Sequence, residues 1–522
     1  QGMAYGSRNR GKGELFLSYD FDYACVTEAL NSEVADYTFT DGSIHTVSRR
    51  DVEQLCRRQG HEVQLKYSRA DSGQYVFQAA FRTALQRVPE DWRRREISDE
   101  KGVSSFCTES TSHSFSPVLD LYYLRHLGAD QTLTVNAVGT SIATRSTVRD
   151  EEGVPYAYTV EGQTRSLLGE ALYEYRLPAA TFTAGLDYKW KQTDNCYKGD
   201  LSAFCPMHSE SFYLFSEANG SYRQLRYRAG LGVEQIGYRQ GLHDYSFWLF
   251  RPQAGLAYNL TNAFQLKYAF SIGGHISKIA MISDAMVRTN SMEWTLGNPD
   301  ILPNRETEQT LTFSYTADRL QAILQSFYRA CRRPNMAVYE RTTDNQFIYT
   351  QRNQPAINLL YVNASVSYQV VPQTLMLSAY GGPVRCFNYG DHYTHCYTAW
   401  YGTLSASAYL GAFTLSAYGD NGWRFLEGES KGINGYQLSI RGAYTHRSFT
   451  VALTAQQPFA RQYATFRSEL LNQFIHKPSV VTDRDQASLL SLSVTWRLAQ
   501  GQRFPAAERT VHLSDTDAGI LK

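Results

Sequence analysis

The residues with the most chemistry to offer are eight cysteines and the histidines near them. Cys25 and Cys56 flank one long polar stretch, Cys196 and Cys205 lie together in a second, and Cys386 and Cys396 bracket a third, while Cys107 and Cys331 sit singly. Two chemistries fit such spacing. In an oxidising compartment the three groups would close as disulfides, with Cys107 and Cys331 as a conditional fourth pair, and sequence alone does not fix connectivity. Alternatively Cys386, His392, His395 and Cys396 could offer thiolate and imidazole to zinc or iron, but the spacing follows no strong ligand template. Disulfides are the expectation, with no cofactor. Asp515, Asp517 and Gly519 faintly suggest a calcium loop that lacks its distal bidentate Glu. There is no nucleophile elbow, zinc-peptidase helix or phosphate-binding glycine loop, so no enzyme is expected.

The elements that carry these residues alternate with a period of two. Phe182, Ala184, Leu186, Tyr188 and Trp190 interleave with Thr183, Gly185, Asp187 and Lys189, which sends the two sets to opposite faces of a strand. The pattern recurs at Leu225 to Val233, at Phe264 to Ile272, and at Leu490, Leu492, Val494, Trp496 and Leu498. Short connections such as Leu177-Pro178-Ala179, Asn219-Gly220 and His446-Arg447 read as hairpin turns, with Asn219-Gly220 the strongest signal. Between hairpins lie longer polar stretches, among them Val26 to Gly60, Arg87 to His113, Ser277 to Asn304 and Gln457 to Asp483, expected as long loops on one rim. Tight turns on one rim and long loops on the other suit a transmembrane barrel.

Composition excludes several alternatives. The 522 residues carry 51 basic and 50 acidic side chains, a balance that argues against nucleic acid as a partner. Mean hydropathy is −0.40 and no run of 18 apolar residues occurs, which excludes membrane helices but not membrane strands. Gln1 to Gly13 holds no apolar core of a signal peptide. A soluble sandwich would also alternate. However, Tyr173, Tyr175, Tyr188, Trp190 and Trp496 fall near strand ends as interfacial girdles do, and Glu170, Glu174, Arg176, Asp187 and Lys189 charge a face that a packed core could not bury unpaired. The fold class is therefore all-β, a transmembrane antiparallel up-and-down barrel of about 20 strands. Its expected divisions are a start at 1–13, the barrel at 14–498 and a periplasmic tail at 499–522.

The segment Leu296-Gly297-Asn298-Pro299-Asp300-Ile301-Leu302-Pro303-Asn304-Arg305-Glu306 resembles the Gly-Asn-Pro-x-Leu-x-Pro-Glu signature of TonB-dependent receptors, with Ile301 and Asn304-Arg305 departing from it. Ser116 to Tyr123, Leu168 to Tyr173 and Leu513 to Ile520 look like one outer-membrane β-barrel branch of those receptors. The resemblance implies a 22-stranded barrel in a Gram-negative outer membrane, surrounded by lipid and occluded by an N-terminal plug. It implies import of a scarce solute, such as an iron chelate, a peptide or a glycan, driven through the TonB complex. No plug-like segment precedes Glu14, so the expectation is a chain lacking its N-terminal region. Trp294, Tyr393 and Trp400 are the candidate ligand aromatics, because flat rings bury much area at low entropic cost. The alternative is a non-transporting barrel that binds at the surface or serves assembly.

Overall fold

A computed structural model describes residues 1–71, 73–275, 278–498, 509 and 513–521. It is an antiparallel barrel built from one 27-stranded sheet in which successive wall strands pair in chain order. Several of those strands are halves of one wall strand: His243–Phe250 and Gln253–Asn259 both pair with Leu225–Gln240, interrupted at Pro252, which has no N–H for the ladder. The sheet curls until early and late segments meet, and Ala29–Thr38 pairs with Ile475–Asp483.

The period-two reading of the faces holds. In the strand Ala180–Gly199, Phe182, Ala184 and Tyr188 are exposed while Gly185, Thr193, Asn195 and Tyr197 are buried. The apolar set runs from Phe182 to Trp190, close to the roughly 9–11 residues with which a tilted strand crosses the hydrocarbon. Beyond Trp190 the outward side chains turn polar with Gln192, Asp194 and Lys198. Tyr173, Tyr175, Tyr188 and Trp496 are all outward and exposed.

Two expectations about connections are corrected. The strands do not stop where the polar stretches begin: Ile44–Asp71 runs 28 residues and Tyr75–Asp99 runs 25, so most of Val26 to Gly60 and Arg87 to His113 is strand. Outside lipid both faces are wet and the apolar alternation disappears, yet the hydrogen-bond ladder continues. Asn219-Gly220 is likewise not a turn. The strand Ala203–Tyr222 runs through it, pairing Asn219 with Arg228 and Gly220 with Tyr227, and the positive φ of 54° falls on Arg223. Gly220 serves a close approach instead, for a Cβ there would lie 2.4 Å from the Ala179 carbonyl and 2.6 Å from Tyr227 Oη.

Candidate ligand site in the lumen

Two segments on the long-loop side fold over the barrel mouth. The connections 274–304 and 333–355 each contribute two short strands, Met286–Arg288 and Glu293–Leu296 from the first, Asn335–Arg341 and Phe347–Asn353 from the second. Together they form a four-stranded cap sheet whose central pair, Glu293–Leu296 with Phe347–Asn353, is parallel. The cap packs on the wall in two directions. Phe347 is fully buried among Ala35, Tyr37, Val47, Leu470 and Ile475, while Ala285 and Val287 join Tyr156, Tyr158, Val160, Tyr197 and Cys205.

A buried ionic network pins the cap. The Glu293 carboxylate accepts from Tyr37 Oη at 2.6 Å and from Lys477 Nζ at 2.9 and 2.7 Å. Arg49 forks onto Glu152 at 3.0 and 2.9 Å and donates to Tyr37 Oη at 3.0 Å, and Glu152 also accepts from Ser291 Oγ at 2.6 Å. Arg49, Glu152 and Glu293 are each 2% exposed. Burial pushes the Glu293 carboxyl up, but the neighbouring Lys477 ammonium, the Lys477 and Tyr37 hydrogen bonds and Arg49 outweigh it and hold the group below the ordinary carboxylate range. Glu152 is also lowered, since the Arg49 contacts and Ser291 outweigh its burial.

The Gly-Asn-Pro segment is the joint between cap and wall. A Cβ on Gly297 would lie 2.3 Å from the Ser283 carbonyl, so only glycine fits there. Asn298 Nδ2 donates to the Gln351 carbonyl at 2.9 Å, tying the two cap connections together. Tyr238 Oη donates to the Pro299 and Ile301 carbonyls at 3.0 and 2.5 Å, fixing the joint to the wall.

The second covering segment is the tail. For residues 513–521 the expectation of a periplasmic tail is corrected, and residues 499–508, 510–512 and 522 lie outside the described residues. Arg509 reaches the inward face, where its guanidinium binds both Asp120 carboxylate oxygens at 2.6 and 2.9 Å. Further on, Tyr197 Oη donates to the Leu521 carbonyl at 2.9 Å. Tyr197 lies roughly 55 Å along its strand from the tight turn at 177–179, well beyond the lipid-facing band. Residues 513–521 therefore lie against the lumenal wall. They are held there because the inward face offers charge and amide partners to a polar segment whose Ile520 and Leu521 find apolar cover. A cavity of about 350 Å³ opens beside it, lined by Glu62, Arg82, His113, Ser114, Asp515 and Thr516.

The structure does not gather the aromatics chosen from sequence. Trp294 lies in the cap, edge-on to Tyr156 at 6.1 Å between centroids. Tyr393 stacks on His395 at 4.9 Å, with its Oη 3.7 Å from Met336 Sδ of the cap. Trp400 is exposed on the outward face of Thr394–Leu410, the side that carries Leu404. The groups that hold cap and tail, Arg49, Glu152, Lys191, Glu293 and Lys477, were not singled out by sequence. The only signal was inward alternation, as in the series leading to Lys191.

The disulfide expectation is overturned, because all eight cysteines are free thiols. The pairs miss by one residue of register. Cys25 stands opposite Arg57 rather than Cys56, Cys205 opposite Asn195 rather than Cys196, and Cys386 opposite Tyr397 rather than Cys396. A one-residue offset puts the two sulfurs of each pair on opposite faces of the sheet, out of bonding reach. Cys107 and Cys331 stand on strands that do not pair with each other. The same offset separates Cys386 from Cys396 as metal ligands for His392 and His395, and among the described residues no group of three such side chains is placed to hold an ion. Burial pushes the Cys205 and Cys331 thiols up to about 12. Maleimide should therefore label exposed Cys25 and Cys396 in the folded protein and spare Cys205 and Cys331, with all eight labelling after unfolding without reductant. Any pair that labels only after reduction contradicts the assigned register.

The family model described as the outer membrane protein beta-barrel family matches residues 209–496. This chain belongs to that family. The chain is also similar in fold to several solved structures. The copper transporter OprC aligns with a TM-score of 0.58 at 10% identity, covering 88% of this chain and 80% of the other. The alcaligin outer-membrane receptor FauA of Bordetella pertussis aligns at 0.52 and 9% identity, covering 87% and 75%. The siderophore receptor PirA of Acinetobacter baumannii aligns at 0.52 and 9%, covering 88% and 80%. No curated protein matches by sequence. Family and fold place the barrel in the Gram-negative outer membrane.

Proposed function

We propose that this barrel is the translocation domain of a receptor that captures a scarce solute at the cell surface and passes it inward. The observation that carries this reading is the lumen itself: a polar, charged interior with a cavity of about 350 Å³, covered by a cap sheet pinned through buried ions. A static wall or anchor has no need of a covered polar conduit. The similar folds include a copper transporter and siderophore receptors, which supports metal or metal-chelate cargo beside peptide and glycan. Trp294 and Tyr393, at the cap, would meet the solute first, and the wall would form the conduit, beginning before residue 14 because Gly2–Arg10 pairs with Gly13–Val26 as a further wall strand.

Displacing a pinned cap requires work, and the outer membrane holds neither ATP nor a sustained ion gradient, so the energy would come through the TonB complex. The test supplies copper, a ferric siderophore, an oligopeptide mixture and an oligosaccharide mixture in turn as the limiting nutrient. For one class, uptake should require both this gene and TonB, while surface binding survives TonB deletion. Uptake indifferent to TonB, or binding without uptake for every class, would instead make this a surface-binding or assembly barrel.

A further inference from the structure

The tail lies in a track that reads main chain. Four inward side chains donate to four different carbonyls of the tail: Lys191 Nζ to Asp517 at 2.7 Å, Thr164 Oγ1 to Ala518 at 2.7 Å, Asn195 Nδ2 to Gly519 at 2.8 Å and Tyr197 Oη to Leu521 at 2.9 Å. Lys191, Asn195 and Tyr197 share the inward face of one strand and Thr164 stands on its neighbour, so their donors rise in step with the segment they hold. Hydrogen bonds to carbonyls are blind to sequence, since every residue offers one.

Selectivity enters at three points. Lys191 stands 3.1 Å from the Asp515 carboxylate and 3.6 Å from that of Asp517, an anion-seeking start. Gly162 leaves the floor bare, because a Cβ there would lie 2.7 Å from Ile520 Cδ1. Leu521, 3% exposed, ends the track in a socket that includes Tyr158, Val160, Tyr197 and Cys205 of the wall and Val287 of the cap. The cavity of about 350 Å³ reaches Asp515, Thr516 and Ala518, so the start of the track opens into free space in the lumen.

We propose that this track is a binding site for extended peptides, acidic at the start and aliphatic at the end, and that the tail is a tethered occupant holding it in cis. The inference rests on the receptor reading and narrows its cargo to peptide. A tethered segment competes at an effective concentration of order millimolar, so peptide binds tightly only where the tail yields.

The test is equilibrium binding to purified full-length protein in detergent, free of TonB, so it can fail while the uptake assay succeeds and the reverse. Two fluorescent nonapeptides serve as probes: the sequence of residues 513–521, and a foreign one keeping only its two acidic positions, its glycine and its aliphatic end. Leu521→Asp puts a charge into the apolar socket and evicts the tail. Both probes should bind that variant at least about tenfold more tightly than the unaltered protein, and adding Lys191→Met with Asn195→Leu should remove the gain. If Leu521→Asp does not assemble, a chain stopped after residue 512 takes its place. Binding of neither probe, binding of the tail sequence alone, or binding indifferent to the track substitutions would overturn the proposal.

Discussion

Glu293→Ala is expected to free the cap from the wall. The substitution removes the only carboxylate that Lys477 contacts among the described ion pairs and takes the acceptor from Tyr37 Oη, leaving an ammonium that is 18% exposed without its partner. Breaking one side of a buried ion pair costs about 3–5 kcal/mol, which would raise the open fraction of the cap by roughly two to four orders of magnitude. Protease cleavage in the cap turn 342–346 reads this directly, since cleavage tracks the open population when reclosing is fast. The rate should rise in Glu293→Ala and fall back in part when Lys477→Met is added, because the second change removes the orphaned charge. An unchanged rate would mean that the network does not hold the cap.

The same network sets a pH dependence. Glu293 and Glu152 titrate below the ordinary carboxylate range in the folded protein, so the stability they contribute is fully present above their unfolded values, near 4.3 for Glu. It is lost as pH falls through the lowered folded values. The cap turn should be as resistant at pH 5.5 as at pH 7.5 and become cleavable only in stronger acid. Loosening already at pH 5.5 would mean that the two carboxyls are not held low.

The wall was legible in sequence because lipid and water impose alternation on every strand that crosses. Phe182 to Trp190 and Leu490 to Trp496 could be assigned to a face without any knowledge of their neighbours. Strand ends were less legible, because above the membrane the polar stretches keep the backbone ladder and lose the side-chain pattern. Asn219-Gly220 shows the same limit at the other rim: its glycine answers to Tyr227 and Ala179 across the sheet, not to the local turn.

Register accounts for the cysteines. Their placement near strand tops was readable, but whether two thiols can bond depends on a single residue of slip between strands, and the hairpin connections that set that slip carry no such mark. Cap and tail were illegible for a different reason. Glu293 meets Lys477 across 184 residues, and Asn195 meets Gly519 across 324, so no local spacing announces either contact. The Gly-Asn-Pro segment was recognisable by its motif, but its partners Tyr238 and Gln351 were not.

The central claim is that cap and tail shut the lumen from within, and planar-bilayer conductance tests it most directly. A barrel of this many strands encloses a space that wall side chains cannot fill, so an uncovered lumen conducts as a wide aqueous pore. The unaltered chain should insert and pass little current, while Glu293→Ala combined with Leu521→Asp, which loosens both coverings, should give large stepwise openings. A wide, steady pore from the unaltered chain, or an insulating double variant that has demonstrably inserted, would contradict the account.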